Sequence, residues 1–406
     1  MLIIRSRRPQ IPVWSIMGFA AFVVVLSDLV SVDELGSVVN IDVVLFLIGM
    51  FSIVSLADES GLLNAISIWV LTKARSVKHL FLLLAILFGF LAAIAVNDTV
   101  ALMGPPIVLT ISRAIDLDPR LLFLLLAFSL TIGSVATPIG NPQNVLIAVE
   151  SGIEAPFTTF IVKLLAPTVI NLLATGYTLF KFYRVEDKPI NIVLIPHEAI
   201  KNRRDAILAA TGLISVVVAL IVNDVFEILR LPHVVRRGFI PFVIASAIYI
   251  LSSNPRKVLA GVDWGTIVFF IMMFITMEGI WRSGVLDILL KIMISTKIRG
   301  FVGISTITGI SILFSQVLSN VPFVKLFIDY MHSLGYTGRD VDSWLALAMS
   351  STIAGNLTIL GAASNIIILE VLESRIGTTI TFTEFLKIGA IVTLINTLIY
   401  LQFFIY

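Results

Sequence analysis

The chain contains no cysteine. Disulfides, thiolate metal centres and cysteine nucleophiles are therefore excluded. Its four histidines, His79, His197, His233 and His332, lie too far apart in sequence to form a metal-ligand motif. No P-loop occurs, so ATP coupling within this chain is not indicated and an ATPase would have to be a separate subunit. Charge is scarce: 13% of residues are Asp, Glu, Lys or Arg, against about 25% in soluble domains. The 28 basic and 26 acidic residues nearly cancel, leaving no basic excess for nucleic acid as a partner. What remains is apolar, at 58% hydrophobic residues and a mean hydropathy of +1.04. A bilayer accepts such a chain only if its backbone bonds internally, which predicts an all-α polytopic membrane protein.

Arg5, Arg7 and Arg8 precede an apolar run from Ile11, with no small-residue cleavage site after it. The run reads as a retained first span with its N-terminus in the cytoplasm. Asp33 and Glu34 occupy the next loop, which lacks Lys and Arg and suits the outside. A second span covers about Val43 to Ala57. GLLNAISIWVLTKARS is too short to cross comfortably, and with Lys73, Arg75 and Lys78 it reads as an interfacial helix. From Leu80 to Ile111 an apolar run is broken by Asn97-Asp98-Thr99, which predicts a re-entrant hairpin over 79–113. Leu121 to Ala148 contains TIGSVATPIGNPQNVLIA, whose Gly133, Pro138, Gly140 and Pro142 predict a spanning helix unwound in its middle. Phe157 to Phe182 crosses back, and 183–205 forms a polar cytoplasmic linker. Spans follow at Ala206–Val222, Phe239–Leu251 and Thr266–Met277. The break then recurs in LFSQVLSNVPFVKLF, within a hairpin over 301–332. A second interrupted segment, STIAGNLTILGAASNIIIL, precedes a last span at Phe385–Phe404.

These recurrences fall at nearly one offset. Asn97-Asp98 and Ser319-Asn320 are 319 − 97 = 222 apart. Gly140 and Gly361 are 361 − 140 = 221 apart, as are Asp42 and Asp263 (263 − 42 = 221). Ser60-Gly61 answers Ser283-Gly284 at 283 − 60 = 223. An internal repeat follows, with residues 1–182 as the first copy. Residues 206–406 hold a connecting helix and the second copy. Counting crossings inverts the copies, for a total of about nine crossings plus two hairpins, one from each face. The multi-pass chain belongs in the plasma membrane, with its C-terminus outside. Whether the short stretches near Gly61 and Gly284 cross is left open.

An ionisable group at bilayer depth costs roughly 2.5–3.5 kcal/mol or more, and such residues mark pathways. Asp98 is therefore the candidate for proton or cation coupling, against a bland role as first-turn helix acid. Asn97-Asp98-Thr99 and Asn356-Leu357-Thr358 also fit a glycosylation pattern, but their apolar flanks argue against exposed acceptors. Lys325 either attracts an anion or pairs with Asp329 at i+4. No second acid or nucleophile accompanies Asp98, so the chain is expected not to be an enzyme. A passive channel using the tips as a filter is a further alternative.

The runs ATPIGNPQN (Ala136 to Asn144), VNDTVAL and LSNVPFV resemble the ion-transporter superfamily. That group includes arsenite permeases, silicon efflux transporters, sodium/proton antiporters and citrate carriers, and GNPQN is most similar to the arsenite-permease branch. The resemblance implies two hairpins and two unwound helices around a midplane site, and a homodimer in the bilayer. It implies a first cluster of Asn97, Asp98, Thr99, Thr137, Gly140, Asn141 and Asn144. The second cluster is Ser319, Asn320, Asn356, Thr358, Gly361, Ser364 and Asn365. No cofactor is implied beyond a coupling H+ or Na+. Sodium would sit at Asn97, Asp98 and Asn141, and at Ser319, Asn320 and Asn365. The function expected is secondary active transport of a small anion or metalloid oxyacid by alternating access, with sodium/proton antiport as the alternative. GAASN in place of GNPQN makes the two sites unequal.

Overall fold

The computed structural model describes residues 12–190, 196–285, 290, 291 and 293–405. Arg5, Arg7 and Arg8, on which the orientation of the first span was argued, lie outside the described residues, as does part of the stretch after Gly284.

Among the described residues the chain is helical, with no strand beyond one isolated bridge between Ser76 and Pro189. The first half holds α1 (Val13–Leu26), α2 (Ile41–Glu59), the short α3 (Leu62–Leu71), α4 (Val77–Ala95) and α5 (Asn97–Ile115). It continues with α6 (Pro119–Gly133), α7 (Pro142–Glu150) and α8 (Pro156–Phe182). A connecting helix, α9 (Arg203–Ile228), leads to α10 (Phe239–Leu251) and α11 (Trp264–Ser283). Then come α12 (Gly300–Leu318), α13 (Asn320–Ser333), α14 (Val341–Ile353), α15 (Ala363–Ile376) and α16 (Phe382–Phe403). Among the described residues, eight helices are long and apolar enough to cross a membrane, and α4 and α12, arms of the two hairpins, are among them.

Helix starts repeat between the halves: α2 and α11 by 264 − 41 = 223, α4 and α12 by 300 − 77 = 223, and α7 and α15 by 363 − 142 = 221. Packing is exchanged between the copies. α1 lies along α11 of the second half, and α10 lies along α2 of the first. Glu59 at the end of α2 pairs with Lys257, just ahead of α11. The start of α11 therefore sits beside the end of α2, so the two run antiparallel. Likewise the start of α6, the end of α8 and the start of α16 meet in one pocket lined by Asp118, Tyr183 and Glu384. On the other face, Lys163 near the start of α8 reaches Asp342 at the start of α14 (3.3 Å). The copies are inverted, and each hairpin enters from a different face. One face carries the linker, tied to Arg75 and Val77 by backbone bonds (Val77 N–H to Lys188 O, 3.0 Å). The other carries the 27–40, 228–238 and 334–341 turns.

Two registers differ from those read in the sequence. The hairpin turns place Val96 (φ +65°) opposite Ser319 (φ +68°), both non-glycine residues with positive φ. Asn97 thus matches Asn320 at 223, and Asp98 matches Val321, not Asn320. Asp263 is the N-cap of α11, and the N-cap of α2 is Asn40, so Asp42 is not its counterpart. Slips of one residue at the tips and two at the caps are invisible in sequence, because turn and cap identities are backbone conformations.

α4 and α6 cross at two glycines: a Cβ on Gly133 would stand 2.1 Å from the Gly89 Cα. Backbone cannot yield as a side chain can, and small residues at such crossings permit close helix approach. Gly133→Val is expected to cost several kcal/mol, at or above the ~1–3 kcal/mol typical of overpacked cores. Loss of the monodisperse peak in detergent chromatography would register it, and wild-type elution and melting would refute it.

Candidate functional site

Polar side chains in a bilayer core need partners, so the partnered and unpartnered amides of the two unwound segments separate scaffold from site. In the first segment nearly all are engaged. Asn141 caps α7 by accepting from Asn144 N–H (2.9 Å), and its Nδ2 donates to Ser134 O (3.2 Å) and to Thr352 Oγ1 (3.2 Å). Asn144 Nδ2 donates to the carbonyls of Ser134 and Thr137 (both 3.1 Å). Thr137 Oγ1 donates to Ala93 O on the hairpin arm (2.6 Å) and accepts from Gly140 N–H (3.0 Å). These residues hold the unwound backbone open. A Cβ at Gly140 would meet the Ser134 carbonyl oxygen at 2.3 Å, which explains the glycine.

The second segment is less satisfied. Asn365 Nδ2 donates to Gly355 O (2.7 Å) and Thr358 O (3.3 Å), and Thr358 Oγ1 donates to Gln316 Oε1 (2.7 Å). Yet Asn320 Oδ1, both polar atoms of the Asn356 side chain, Ser364 Oγ and Asn365 Oδ1 are buried without a partner. In the first cluster only Asn97 Oδ1 is in that state. Each such atom costs roughly 1–3 kcal/mol of lost hydration. Four of these atoms are oxygens, Asn320 Oδ1 at the tip and those of Asn356, Ser364 and Asn365 on the unwound segment, the atom type that a hard cation such as Na+ takes as ligand.

The two tips meet at a cavity of about 370 Å³. Asn97 and Asp98 line it from the first hairpin, and Ser319, Asn320 and Val321 from the second. Pro142 and Gln143 at the start of α7, and Ala362 and Ala363 at the start of α15, complete this side. Four helix N-termini (α5, α13, α7 and α15) therefore converge, each carrying about half a positive charge from its aligned peptide dipoles. Asp98 makes no hydrogen bond or ion pair among the described residues, and sits close enough to Asp263 for their charges to repel. The facing wall is built by the N-terminal ends of α1 and α11, with Trp14, Asp263, Thr266, Phe269 and Phe270. Both are on the linker face, so the cavity extends toward that face. A wider groove of about 870 Å³ on the opposite face, near Lys163 and Arg339, contains none of the expected site residues.

Of the fourteen residues expected at the site, Asn97, Asp98, Ser319 and Asn320 line the cavity. Thr99 stands one residue along α5, half-buried and not on the cavity wall. Thr137, Gly140, Asn141, Asn144, Asn356, Thr358, Gly361, Ser364 and Asn365 form the layer behind it. Asn141 is fully buried and is not part of the cavity wall that Asn97 and Asp98 line. The sequence reading did not place Trp14, Gln143, Asp263 or Thr266 at the site. Two carried a signal there: Gln143 lies in the GNPQN run, and Asp263 is an acid just ahead of an apolar run, which is also how an ordinary N-cap looks.

The sequence model for the family described as citrate transporter (CitMHS) matches residues 1–344. The chain belongs to that family. Members of the ion-transporter superfamily are among its relatives, as the GNPQN run suggested. An uncharacterized transporter of Mycobacterium tuberculosis is 27% identical over 392 residues, covering 93% of this chain and 89% of its own. The silicon efflux transporter LSI3 of Oryza sativa subsp. japonica is 24% identical over 465 residues, covering 98% and 94%. Among solved structures, the YdaH transporter of Alcanivorax borkumensis aligns with a TM-score of 0.58 at 12% identity, over 92% of this chain and 88% of that one. This likeness concerns the fold. The citrate transporter family and these relatives make the chain a multi-pass membrane transporter.

Proposed function

We propose that this citrate-family transporter moves a small hydroxylated oxyacid or anion by alternating access, coupled to protons or sodium. The observation that carries the reading is the convergence of both hairpin tips, four helix N-termini and Asp98 on one cavity. Backbone N–H groups at helix starts bind oxyanions and hydroxylated solutes without fixed cations. Asp98 supplies a group that can exchange a proton. The orphaned oxygens of Asn320, Asn356, Ser364 and Asn365 supply the second, sodium-type site. The relatives' printed names point to citrate and silicon as cargo classes. The linker face is taken as cytoplasmic, in the plasma membrane, and the protein as a homodimer. No further cofactor or ATPase subunit enters the scheme.

Sodium/proton antiport is the second reading. It is favoured by one feature: among the described residues, the charged ones lining the cavity are both acids. Proteoliposomes offered silicic acid, arsenite, phosphate, citrate and sodium under imposed pH and sodium gradients separate the two. Saturable, gradient-driven uptake of one oxyacid supports the first reading. Sodium flux against protons with no other cargo supports the second, and unsaturable flux indifferent to gradients would sink both in favour of a channel.

A further inference from the structure

The cavity's charges do not repeat between the two copies. Asp98 is the second residue of α5, and its match on α13 at the same spacing is Val321 (321 − 98 = 223). Asp263 caps α11, and its match on α2 is the neutral Asn40 (263 − 40 = 223). Both acids therefore break the repeat on the same cavity. Four helix N-termini oppose them, worth together about +2 charges at ~0.5 each. With both acids ionised the two contributions offset, and among the described residues no Lys, Arg or His lines the wall.

Asp263 is held in place for this task. Its Oδ1 accepts from Thr266 N–H (3.0 Å), and its Oδ2 accepts from Thr266 Oγ1 (2.6 Å). The side chain is exposed to the cavity from the wall opposite the tips. Among the described residues the other elements present no charge there besides Asp98: Val13 and Trp14 come from α1, Gln143 from α7, and Ile366 and Ile367 from α15.

We infer that Asp263 is a specificity-determining residue that sets the charge class of the cargo. It cancels part of the positive field of the four helix starts. The cavity then admits neutral and cationic solutes, and admits an anion only together with a positive charge such as a proton on Asp98. The inference deepens the transport reading and rests on it.

The absence of native cysteine makes the test direct. Leu102, which lines the cavity and is 62% exposed, is replaced to give a single thiol (Leu102→Cys). Its reaction with a cationic trimethylammonium-ethyl and an anionic sulfonate-ethyl methanethiosulfonate is timed at low ionic strength, each rate normalised to free cysteine. Adding Asp263→Asn is expected to lower the cation-to-anion rate ratio roughly tenfold, as a nearby charge in a partly screened site would. Asn caps a helix as well as Asp and already serves at the matching position in α2, so the fold is retained. Asp263→Ser, another cap residue, is a second variant with the same expected shift. A ratio unchanged within about twofold, in variants that elute as the parent does, overturns the inference. Labelling needs no turnover, so that result leaves the transport reading standing. Absence of coupled flux in the parent protein would sink the transport reading instead.

Discussion

Asp98→Asn is expected to reduce gradient-driven uptake in proteoliposomes to background, at least a hundredfold, while the protein elutes and melts as the parent does. Asp98 is in the first turn of α5, at the cavity, with no hydrogen-bond or ion-pair partner among the described residues. The amide is nearly isosteric and keeps the polar tip, but it neither carries a proton nor balances a bound cation. Losing the carboxylate also loses its interaction with the start of α5, worth about 0.3–1 kcal/mol, and relieves its repulsion from Asp263. The net change in stability is therefore small, and the loss falls on coupling. Uptake measured under pH and sodium gradients separately shows which ion Asp98 serves. Wild-type uptake under both would refute the coupling role. Lowered stability with intact uptake would make Asp98 a structural acid of the tip.

Lys325→Met is expected to be the most destabilising single change on the opposite face. The Lys325 ammonium donates to Glu150 Oε2 and to Asp329 Oδ1, each at 3.0 Å. Glu150 Oε1 in turn accepts from Asn40 Nδ2 (3.0 Å), and the Glu150 carbonyl lies 2.9 Å from His332 Nε2. The cluster ties the return arm of the second hairpin to the end of α7 and the start of α2. The sequence offered Lys325 either an anion or Asp329, and the structure adds Glu150 as a third member. The Lys325 and Glu150 side chains are only 13% and 14% exposed, so solvent screens the pair weakly. Removing one partner of a fully buried pair costs about 3–5 kcal/mol, and the residual exposure brings this to roughly 2–3 kcal/mol here. The melting temperature in detergent should fall by several degrees, and adding Glu150→Gln should restore part of it by removing one stranded carboxylate. Unchanged melting in Lys325→Met would show that the cluster is a surface arrangement of no energetic consequence.

Much of this was legible without coordinates. A chain of this apolarity in lipid has few folds open to it, so composition alone selects helices. Polar residues that interrupt long apolar runs stand out because each costs free energy in a bilayer, and this is why Asn97-Asp98 and Ser319-Asn320 could be found. The glycines and prolines of 133–142 mark an unwound helix because no regular helix accommodates them. The repeat was visible as a spacing.

The tertiary structure decided which of those polar groups face the cavity. Asn141 and Asn144 have the same composition as a binding site, yet their amides are consumed by carbonyls of their own unwound segment and, for Asn141, by the Thr352 hydroxyl. Asn365, at the position matching Asn144, keeps its oxygen free. Register was decided there too, because the positive φ at Val96 and Ser319 shifts the alignment by one residue and leaves Asp98 without a polar counterpart. The far wall of the site was beyond any local pattern. Trp14 and Asp263 come together only because α1 packs on α11 across the two copies, about 250 residues apart in sequence. In sequence, Asp263 is an acid ahead of a span, noted only for its spacing from Asp42. Long-range packing, which no spacing encodes, turns it into the second charge of the cavity.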